Sequence, residues 1–242
     1  KALREKPHLV LGLATGRTME RVYKHLVRMH REQGLDFSLC RTFNLDEYIG
    51  LRPDHPGSYR YYMDQNLFNH INIDHRNTFL PDGMATDLKA SCLRYEEAIL
   101  EFGGIDLQLL GIGADGHIGF NESLSALRSR TRDKALAPST IAVNSTLFTN
   151  PAEMPKRAIT MGVGTILDAR TIILLVTGCT KAEIVAKAVE GPITSMVSAS
   201  ALQLHPKCRV VVDEHAAVKL EAQDYYRWIF ETEPEWAEFR DK

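Results

Sequence analysis

The chain has 242 residues, which is enough for one large α/β domain with a substantial buried core. Its 29 Lys and Arg residues against 31 Asp and Glu residues give a formal net charge of -2. There is therefore no overall basic field to hold nucleic acid or an anionic membrane, and an anionic ligand must be bound by local groups. No apolar run approaches the roughly 20 residues that cross a bilayer, and the start of the chain lacks the apolar core of a secretory signal. We expect a cytoplasmic protein with residues 1–242 in one domain.

The four cysteines, Cys40, Cys92, Cys179 and Cys208, are widely spaced and include no C-x-x-C pair. This spacing argues against a disulfide framework and against a structural zinc site. We expect free, buried thiols.

The first half of the chain alternates apolar runs with helical patterns, and Ser58 and Asp87 are predicted to cap two of the helices. The predicted elements are a strand at 8–13, a helix at 18–33, a strand at 39–43, an acidic loop at 44–48, a helix at 59–69, a short strand at 78–80, a helix at 87–100 and a strand at 105–112. The last of these strands is nearly all apolar, as expected for a central parallel strand that is buried on both faces.

The second half begins with a polar, weakly periodic segment at 123–156 that contains three prolines. In a compact domain such a segment indicates a functional lid, which we place at about 137–156. The later predicted elements are strands at 158–161, 171–177 and 208–212, a helix at 180–190 and a C-terminal helix within the tail at 224–242. The alternation of strands and helices predicts an α/β fold with a doubly wound, mostly parallel sheet that binds ligands at the carboxyl ends of its strands.

The loop from Gly12 to Thr18 joins a strand to a helix start, where free backbone N–H groups favour an anion. A tight turn of this kind needs glycine in any case, so a purely structural loop stays an alternative. Lys181 begins a later helix and could reach the same anion, although a surface lysine is the simpler interpretation.

The loop at 115–122 carries His117 between two carboxylates, Asp115 and Glu122, at the end of the most apolar strand. An imidazole held by carboxylates can transfer protons near neutral pH. The same three residues could ligate a metal, but no second histidine lies nearby at ligand spacing, so we expect no metal. Asp46 and Glu47 also follow a strand, and they are either a catalytic base with its neighbour or a pair of helix-capping or surface acids.

Two motifs, FNLDEYIGL (43–51) and LLGIGADGHIGFNE (109–122), resemble those of the glucosamine-6-phosphate deaminase family. Shorter matches extend the resemblance to about residue 214: GLATG near the start, SRTR (129–132), MGVGTILDA (161–169) and ALQLHP (201–206). The resemblance implies a modified dinucleotide-binding-like three-layer sandwich and the conversion of glucosamine-6-phosphate to fructose-6-phosphate and ammonia without a cofactor.

The family's pattern also implies roles for individual residues. Asp46 would move a proton between C2 and C1 of the sugar, and His117 would open the ring while Asp115 and Glu122 orient it. Thr15, Gly16, Thr18 and Lys181 would hold the phosphate. Members of the family with allosteric control form hexamers and bind N-acetylglucosamine-6-phosphate through residues that match Ser125, Arg132 and Lys134, whereas other members are monomeric.

The chain departs from the family's pattern at four positions: Arg17 replaces a glycine, Met19 and Ser123 each replace a proline, and Thr146 replaces an arginine that often closes onto the phosphate. We expect Arg17 to supply the lost guanidinium, unless it points to solvent.

Two other functions remain open at this point. A 6-phosphogluconolactonase-like hydrolase shares the fold and a related D-G-H loop, but it would need neither the acidic loop nor Glu122. A non-catalytic sugar-phosphate sensor would be expected to lack the proton-transfer residues. Because water expels ammonia in the last step, the sequence also suggests the broader label of hydrolase, with ketol-isomerase chemistry.

Overall fold

A computed structural model describes residues 1–240 of the chain. Its strands are β1 (Val10–Leu13), β2 (Arg41–Asn44), β3 (Asp46–Tyr48), β4 (Thr78–Phe79), β5 (Leu107–Leu110), β6 (Arg132–Ala135), β7 (Arg157–Thr160), β8 (Ile172–Val176) and β9 (Cys208–Val212). Its helices are α1 (Ala2–Glu5), α2 (Arg17–Gln33), α3 (Tyr59–Asn66), α4 (Leu88–Glu101), α5 (Pro138–Asn144), α6 (Val163–Leu167), α7 (Ala182–Val189), α8 (Glu214–Ala217), α9 (Gln223–Thr232) and α10 (Ala237–Arg240). The last two residues of the predicted tail lie outside the described residues.

Six strands form a parallel sheet in the order β4-β2-β1-β5-β8-β9, which confirms the predicted doubly wound, mostly parallel architecture. All four residues of β1 are buried, since helices cover both faces of a doubly wound sheet. The order of the strands reverses between β1 and β5. The loops that leave these two strands therefore diverge and open a crevice at the carboxyl edge of the sheet.

A second sheet, antiparallel and of order β3-β7-β6, was not predicted. The acidic segment that we expected to be a loop is in fact β3, because Asp46 and Tyr48 pair with Thr160 and Ala158 of β7. The strand predicted at 158–161 is present as β7, but it lies in this antiparallel sheet and not in the predicted parallel sheet. Only Leu45 separates the end of β2 from the start of β3, so the second sheet holds Asp46 beside the crevice.

The helix starts follow local capping chemistry. The Ser58 hydroxyl accepts a hydrogen bond from the backbone N–H of Tyr61, and the Asp87 carboxylate accepts one from Ala90, as the sequence predicted. Helix α2 starts at Arg17, one residue earlier than expected, because Gly16 with φ of 110° turns the chain into the helix.

The main core surrounds the parallel sheet, and a smaller aromatic cluster lies between the second sheet and the segment at 137–156. This second cluster consists of Tyr48, Phe120, Leu136, Met154 and Ala158, with Leu51, Tyr59, Ile141 and Phe148 packed against it. The four cysteines are free, as predicted, but the expectation that all are buried was wrong, since Cys179 is exposed in the loop before α7. Within residues 1–240, none of the helices is long and apolar enough to cross a membrane.

Candidate active site

The crevice between β1 and β5 brings together the two glycine-containing loops that the sequence singled out. The loop after β1 carries the predicted phosphate residues, and the loop after β5 carries His117. β3 adds Asp46 from the side, and the Asp46 carboxylate lies over the backbone of the histidine loop. A Cβ atom at Gly119 would be 3.5 Å from Asp46 Oδ2.

His117 faces both of its predicted carboxylate partners through a single ring nitrogen. Its Nδ1 atom lies 2.6 Å from Asp115 Oδ1 and 3.3 Å from Glu122 Oε2, while the side chain keeps 17% of its surface exposed. Burial alone would lower the pKa of His117, but the two carboxylates outweigh it and raise this pKa to about 9. In return, the contact with His117 lowers the pKa of Asp115. No hydrogen bond from residues 1–240 occupies Nε2, so this nitrogen is the one available to a substrate.

Glycine lets the imidazole lie directly on the backbone of its own loop. A Cβ atom at Gly113 would be 2.3 Å from Cε1 of the His117 ring, so any side chain there must displace the ring. The turn also contains Gly116 with φ of 88°, and a Cβ atom there would lie 2.6 Å from Val197. Packing therefore requires glycine at Gly113, directly against the imidazole, and at Gly116, against Val197.

Asp46 and Glu47 point to opposite faces of β3 and have different environments. The Glu47 carboxylate accepts backbone hydrogen bonds from Tyr48, Tyr59 and Arg60 at 2.8 to 2.9 Å, so it caps α3 as the structural alternative predicted. Asp46 is 6% exposed, and no described residue hydrogen-bonds its carboxyl group. Burial and the charge of Glu47 raise the pKa of Asp46 to about 8, although His117 opposes this increase.

The predicted phosphate residues line the start of α2 and the opposite side of the crevice. Thr15 and Thr18 are half-buried, and Gly16 and Arg17 are exposed. The Arg17 side chain makes no hydrogen bond or ion pair within residues 1–240. The half-buried Lys181 donates its ammonium to the carbonyl oxygen of Ile112 at 2.9 Å, which places the ammonium beside the loop that leaves β5. Burial lowers the pKa of Lys181, while Asp115 opposes this change.

The segment at 137–156 packs over this site at two points. At its start, the backbone N–H of Ala137 donates to Glu122 Oε1 at 3.2 Å. Further along, the Phe148 ring packs on Tyr48 at 5.9 Å between ring centroids. Thr146 is exposed, and its hydroxyl donates to the carbonyl oxygen of Val143.

The side chains of Asp115, His117 and Glu122 present ligand-type atoms within 4.8 Å of one another. This spacing suits a divalent cation as well as a protonated histidine between two carboxylates. The expectation that the site needs no metal therefore stays a prediction.

The three candidate allosteric residues lie behind the histidine loop. The buried Ser125 donates its backbone N–H to the Glu122 carbonyl oxygen at 3.0 Å. Arg132 donates to Asn121 Oδ1 at 2.7 Å, and Lys134 is exposed two residues further along β6. Arg132 and Lys134 share one face of this edge strand. Their binding of an effector stays a prediction.

Sequence reasoning missed several residues that shape the site: Gly113 under the imidazole, Asn121 behind the loop, Tyr59 of α3 and Asn144 of α5. Asn121 is fully buried, and its amide group donates to the carbonyl oxygens of Ile118 and Met161 at 2.8 Å. Asn121 stood within a quoted motif, but its bonding partners are distant in sequence. A separate cavity of about 190 Å³, lined by Glu47 and Arg60 among others, lies on the Glu47 face of β3 and not beside Asp46.

A family model described as glucosamine-6-phosphate isomerases/6-phosphogluconolactonase matches residues 1–212. The glucosamine-6-phosphate deaminase of Hahella chejuensis is 53% identical over 229 residues, which cover 95% of this chain and 87% of that protein. The enzyme of the same name from an Arthrobacter species is 50% identical over 234 residues, covering 97% of this chain and 90% of that protein.

Two solved structures place the fold among known proteins. A monomeric glucosamine-6-phosphate deaminase is 46% identical, has a TM-score of 0.88 and covers 90% of each chain. The 6-phosphogluconolactonase of Thermotoga maritima is 20% identical, with a TM-score of 0.68 over 87% of this chain and 88% of that one. The second similarity supports the fold alone.

Proposed function

Because the chain belongs to the family of glucosamine-6-phosphate isomerases and 6-phosphogluconolactonases, we propose that it isomerises and deaminates glucosamine-6-phosphate to fructose-6-phosphate and ammonia. The observation that carries this choice is the buried, unpaired carboxyl group of Asp46 beside His117 at the edge of the crevice. Proton transfer between two carbon atoms needs a base in such a position.

Ring opening is the first step that these residues support. With a pKa of about 9, His117 is protonated at neutral pH and can donate a proton from Nε2 to the ring oxygen of the sugar. Asp115 and Glu122 stay ionised and hold the imidazolium by Nδ1, which orients the acidic N–H toward the crevice. Glu122 is also bonded to the start of the lid, so the lid and the histidine share one carboxylate.

Isomerisation follows at Asp46. Its pKa of about 8 keeps most of the carboxyl group protonated at neutral pH in the free protein, and a bound substrate ammonium group would favour the ionised base. The carboxylate removes the proton from C2 to give an enolamine and returns a proton to C1. The resulting C2 iminium then adds water, and the C2–N bond breaks to release ammonia and leave the ketone of fructose-6-phosphate.

The phosphate is assigned to Thr15, Gly16, Thr18 and Lys181, with Arg17 added because it is the first residue of α2 and its guanidinium makes no hydrogen bond or ion pair within residues 1–240. The N-terminus of α2 and a half-buried ammonium group support this assignment. The segment at 137–156 is assigned as a lid that shields the enolamine from water.

The two alternatives have less support. A lactonase needs no base at Asp46, and the similarity to the Thermotoga maritima lactonase supports the fold alone. A non-catalytic sensor gives no reason to keep Asp46, His117 and Glu122 together. The names of the relatives support a deaminase and do not support the broader label of hydrolase, so we describe the reaction as isomerisation with deamination.

We extend the proposal to a single domain, a cytoplasmic location and catalysis without a cofactor. The monomeric relative favours a single chain as the working unit over the hexamer of other family members. Light scattering of the purified protein at micromolar concentration tests this choice.

The experiment that tests the function is an ammonia-release assay on glucosamine-6-phosphate, run beside lactonase and plain sugar-phosphate isomerase assays. We expect ammonia and fructose-6-phosphate in equal amounts and no lactone hydrolysis above the buffer rate. Hydrolysis of 6-phosphogluconolactone without ammonia release would replace the proposal with the lactonase.

A further inference from the structure

The start of α2 leaves a run of backbone N–H groups without partners. Gly16 is the residue before the helix, so it offers no side chain to cap the first turn. Within residues 1–240, no oxygen accepts a hydrogen bond from the backbone N–H groups of Thr15, Gly16, Arg17 and Thr18. These four consecutive donors are the backbone part of the proposed phosphate site.

Tyr23 orients the first of these donors from inside the core. Its side chain is fully buried, and its hydroxyl donates a hydrogen bond to the carbonyl oxygen of Ala14. No other group within residues 1–240 donates to this oxygen. The peptide bond from Ala14 to Thr15 is trans, and in a planar trans peptide the C=O and N–H groups point in opposite directions. Because Tyr23 holds the carbonyl group toward the core, the Thr15 N–H points to the open side of the loop.

Tyr62 makes a similar contact with the same loop, but that contact is redundant. Its hydroxyl donates to the carbonyl oxygen of Gly16 at 2.9 Å. The same oxygen also accepts hydrogen bonds from the backbone N–H groups of Met19 at 2.9 Å and Glu20 at 3.3 Å. The first turn of α2 therefore holds the Gly16 carbonyl group without help from a side chain. Of the two carbonyl groups, only that of Ala14 depends on a tyrosine hydroxyl.

We propose that Tyr23 is a positioning residue for phosphate binding: through the Ala14 carbonyl group it orients the Thr15 N–H to donate to a phosphate oxygen. This inference rests on the proposed function, because it needs a substrate phosphate at the loop after β1. Without the hydroxyl, the buried Ala14 loses the donor to its carbonyl oxygen, and a buried carbonyl group without a partner is unfavourable. The peptide group then rotates to find another donor, which turns the Thr15 N–H away from the anion.

Calorimetric titration with inorganic phosphate tests this role without any turnover. Tyr23→Phe removes the hydroxyl and keeps the ring in the core, and Tyr62→Phe is the matched control on the same loop. Tyr95→Phe is the control for stability. The Tyr95 side chain is also buried, and its hydroxyl donates to a carbonyl oxygen outside the loop, that of Asn44, at 2.7 Å. Urea unfolding gives the stability of each variant.

The dissociation constant for phosphate should rise about tenfold in Tyr23→Phe, because a hydrogen bond to a charged group is lost. It should rise less than about twofold in Tyr62→Phe and Tyr95→Phe. In steady-state assays Tyr23→Phe should raise KM for the sugar phosphate, while kcat stays within about threefold of wild type. A merely structural role would weaken phosphate binding in Tyr23→Phe no more than in Tyr95→Phe, and this result would overturn the inference.

Nuclear magnetic resonance of the Thr15 amide reports on the same hydrogen bond directly. Phosphate should shift this amide proton downfield in the wild-type chain and in Tyr62→Phe, and it should leave the proton nearly unshifted in Tyr23→Phe. A wild-type chain that binds no phosphate, or whose Thr15 amide does not respond to it, would also overturn the inference. A wild-type chain that binds phosphate in this way but releases no ammonia would count against the proposed function alone.

Discussion

Replacing Asp46 with Asn removes one ionisable group while keeping the size and shape of the side chain. The substituted amide cannot accept the C2 proton, so kcat should fall by about 10² to 10⁴. KM should stay within about threefold of wild type, since the phosphate is assigned to other residues. A kcat within about threefold of wild type would remove Asp46 from the mechanism.

The same substitution should stabilise the fold at neutral and alkaline pH. Burial raises the pKa of Asp46 from 3.8 to about 8, so between these values the folded state holds a proton that the unfolded state has released. Stability therefore falls as pH rises through this window, by up to about 1.4 kcal/mol for each pH unit. The full pKa shift corresponds to a loss of at most about 6 kcal/mol in the free energy of unfolding above pH 8. We expect a loss of about 2 kcal/mol because the protein relaxes around a buried charge.

Urea unfolding of both proteins at pH 5, 7 and 9 measures this effect. The free energy of unfolding of Asp46→Asn minus that of wild type should increase from pH 5 to pH 9. Glu47→Gln is the matched control: it places an amide among three backbone N–H donors and should destabilise the chain by about 1 to 3 kcal/mol. An Asp46→Asn variant that is no more stable than wild type at pH 9 would refute the reasoning about buried charge.

Four further predictions concern the same site. The value of kcat/KM should rise with pH up to about 8 as Asp46 ionises and fall above about 9 as His117 loses its proton, which a pH profile measures. Gly113→Ala should lower kcat by roughly 10², because its Cβ displaces the imidazole, and an unchanged kcat would show that the ring has another position. Arg17→Gly should raise KM roughly tenfold, with much of the loss recovered by adding Thr146→Arg, whereas additive effects in the double variant would mean that the two positions are uncoupled. Dialysis against a chelator should leave ammonia release unchanged, and loss that zinc or manganese restores would assign the histidine loop to a metal.

The sequence was a good guide where local physical chemistry decides the structure. β5 and β8 lie in the interior of the parallel sheet and consist mostly of apolar residues. Ser58 and Asp87 each accept a hydrogen bond from a backbone N–H in the first turn of the helix that they cap. The crevice followed from the alternation of strands and helices, since a reversal of strand order opens a site at the carboxyl edge.

The second sheet could not be predicted in the same way. β3 reads Asp-Glu-Tyr and β6 reads Arg-Asp-Lys-Ala, and neither has the apolar alternation of a strand. Both are strands because they pair with β7, whose residues are far away in sequence from β3. Intrinsic strand propensity is weak at such positions, so pairing with residues that are distant in sequence decides whether a strand forms.

The candidate site shows the same limit. Composition and spacing identified His117 and its two carboxylates, but they could not show that both acids approach Nδ1 and leave Nε2 free. Composition and spacing also could not distinguish Asp46 from Glu47. In the structure Glu47 caps a helix, whereas no described residue hydrogen-bonds the buried carboxyl group of Asp46. Successive side chains of a strand point to opposite faces, and this alternation along β3 separates the two acids. The sequence did not predict the separation because the segment was expected to be a loop.

The most direct test of the account follows the hydrogen at C2 of the substrate. Glucosamine-6-phosphate with deuterium at C2 is converted by the protein, and the product is examined by nuclear magnetic resonance while ammonia is measured. We expect the C2–deuterium bond to break in every turnover, with one ammonia released, fructose-6-phosphate formed and the deuterium found at C1 or exchanged into solvent. Release of ammonia with the deuterium retained at C2 would mean direct hydrolytic replacement of the amine, and it would contradict the isomerisation that Asp46 is proposed to catalyse.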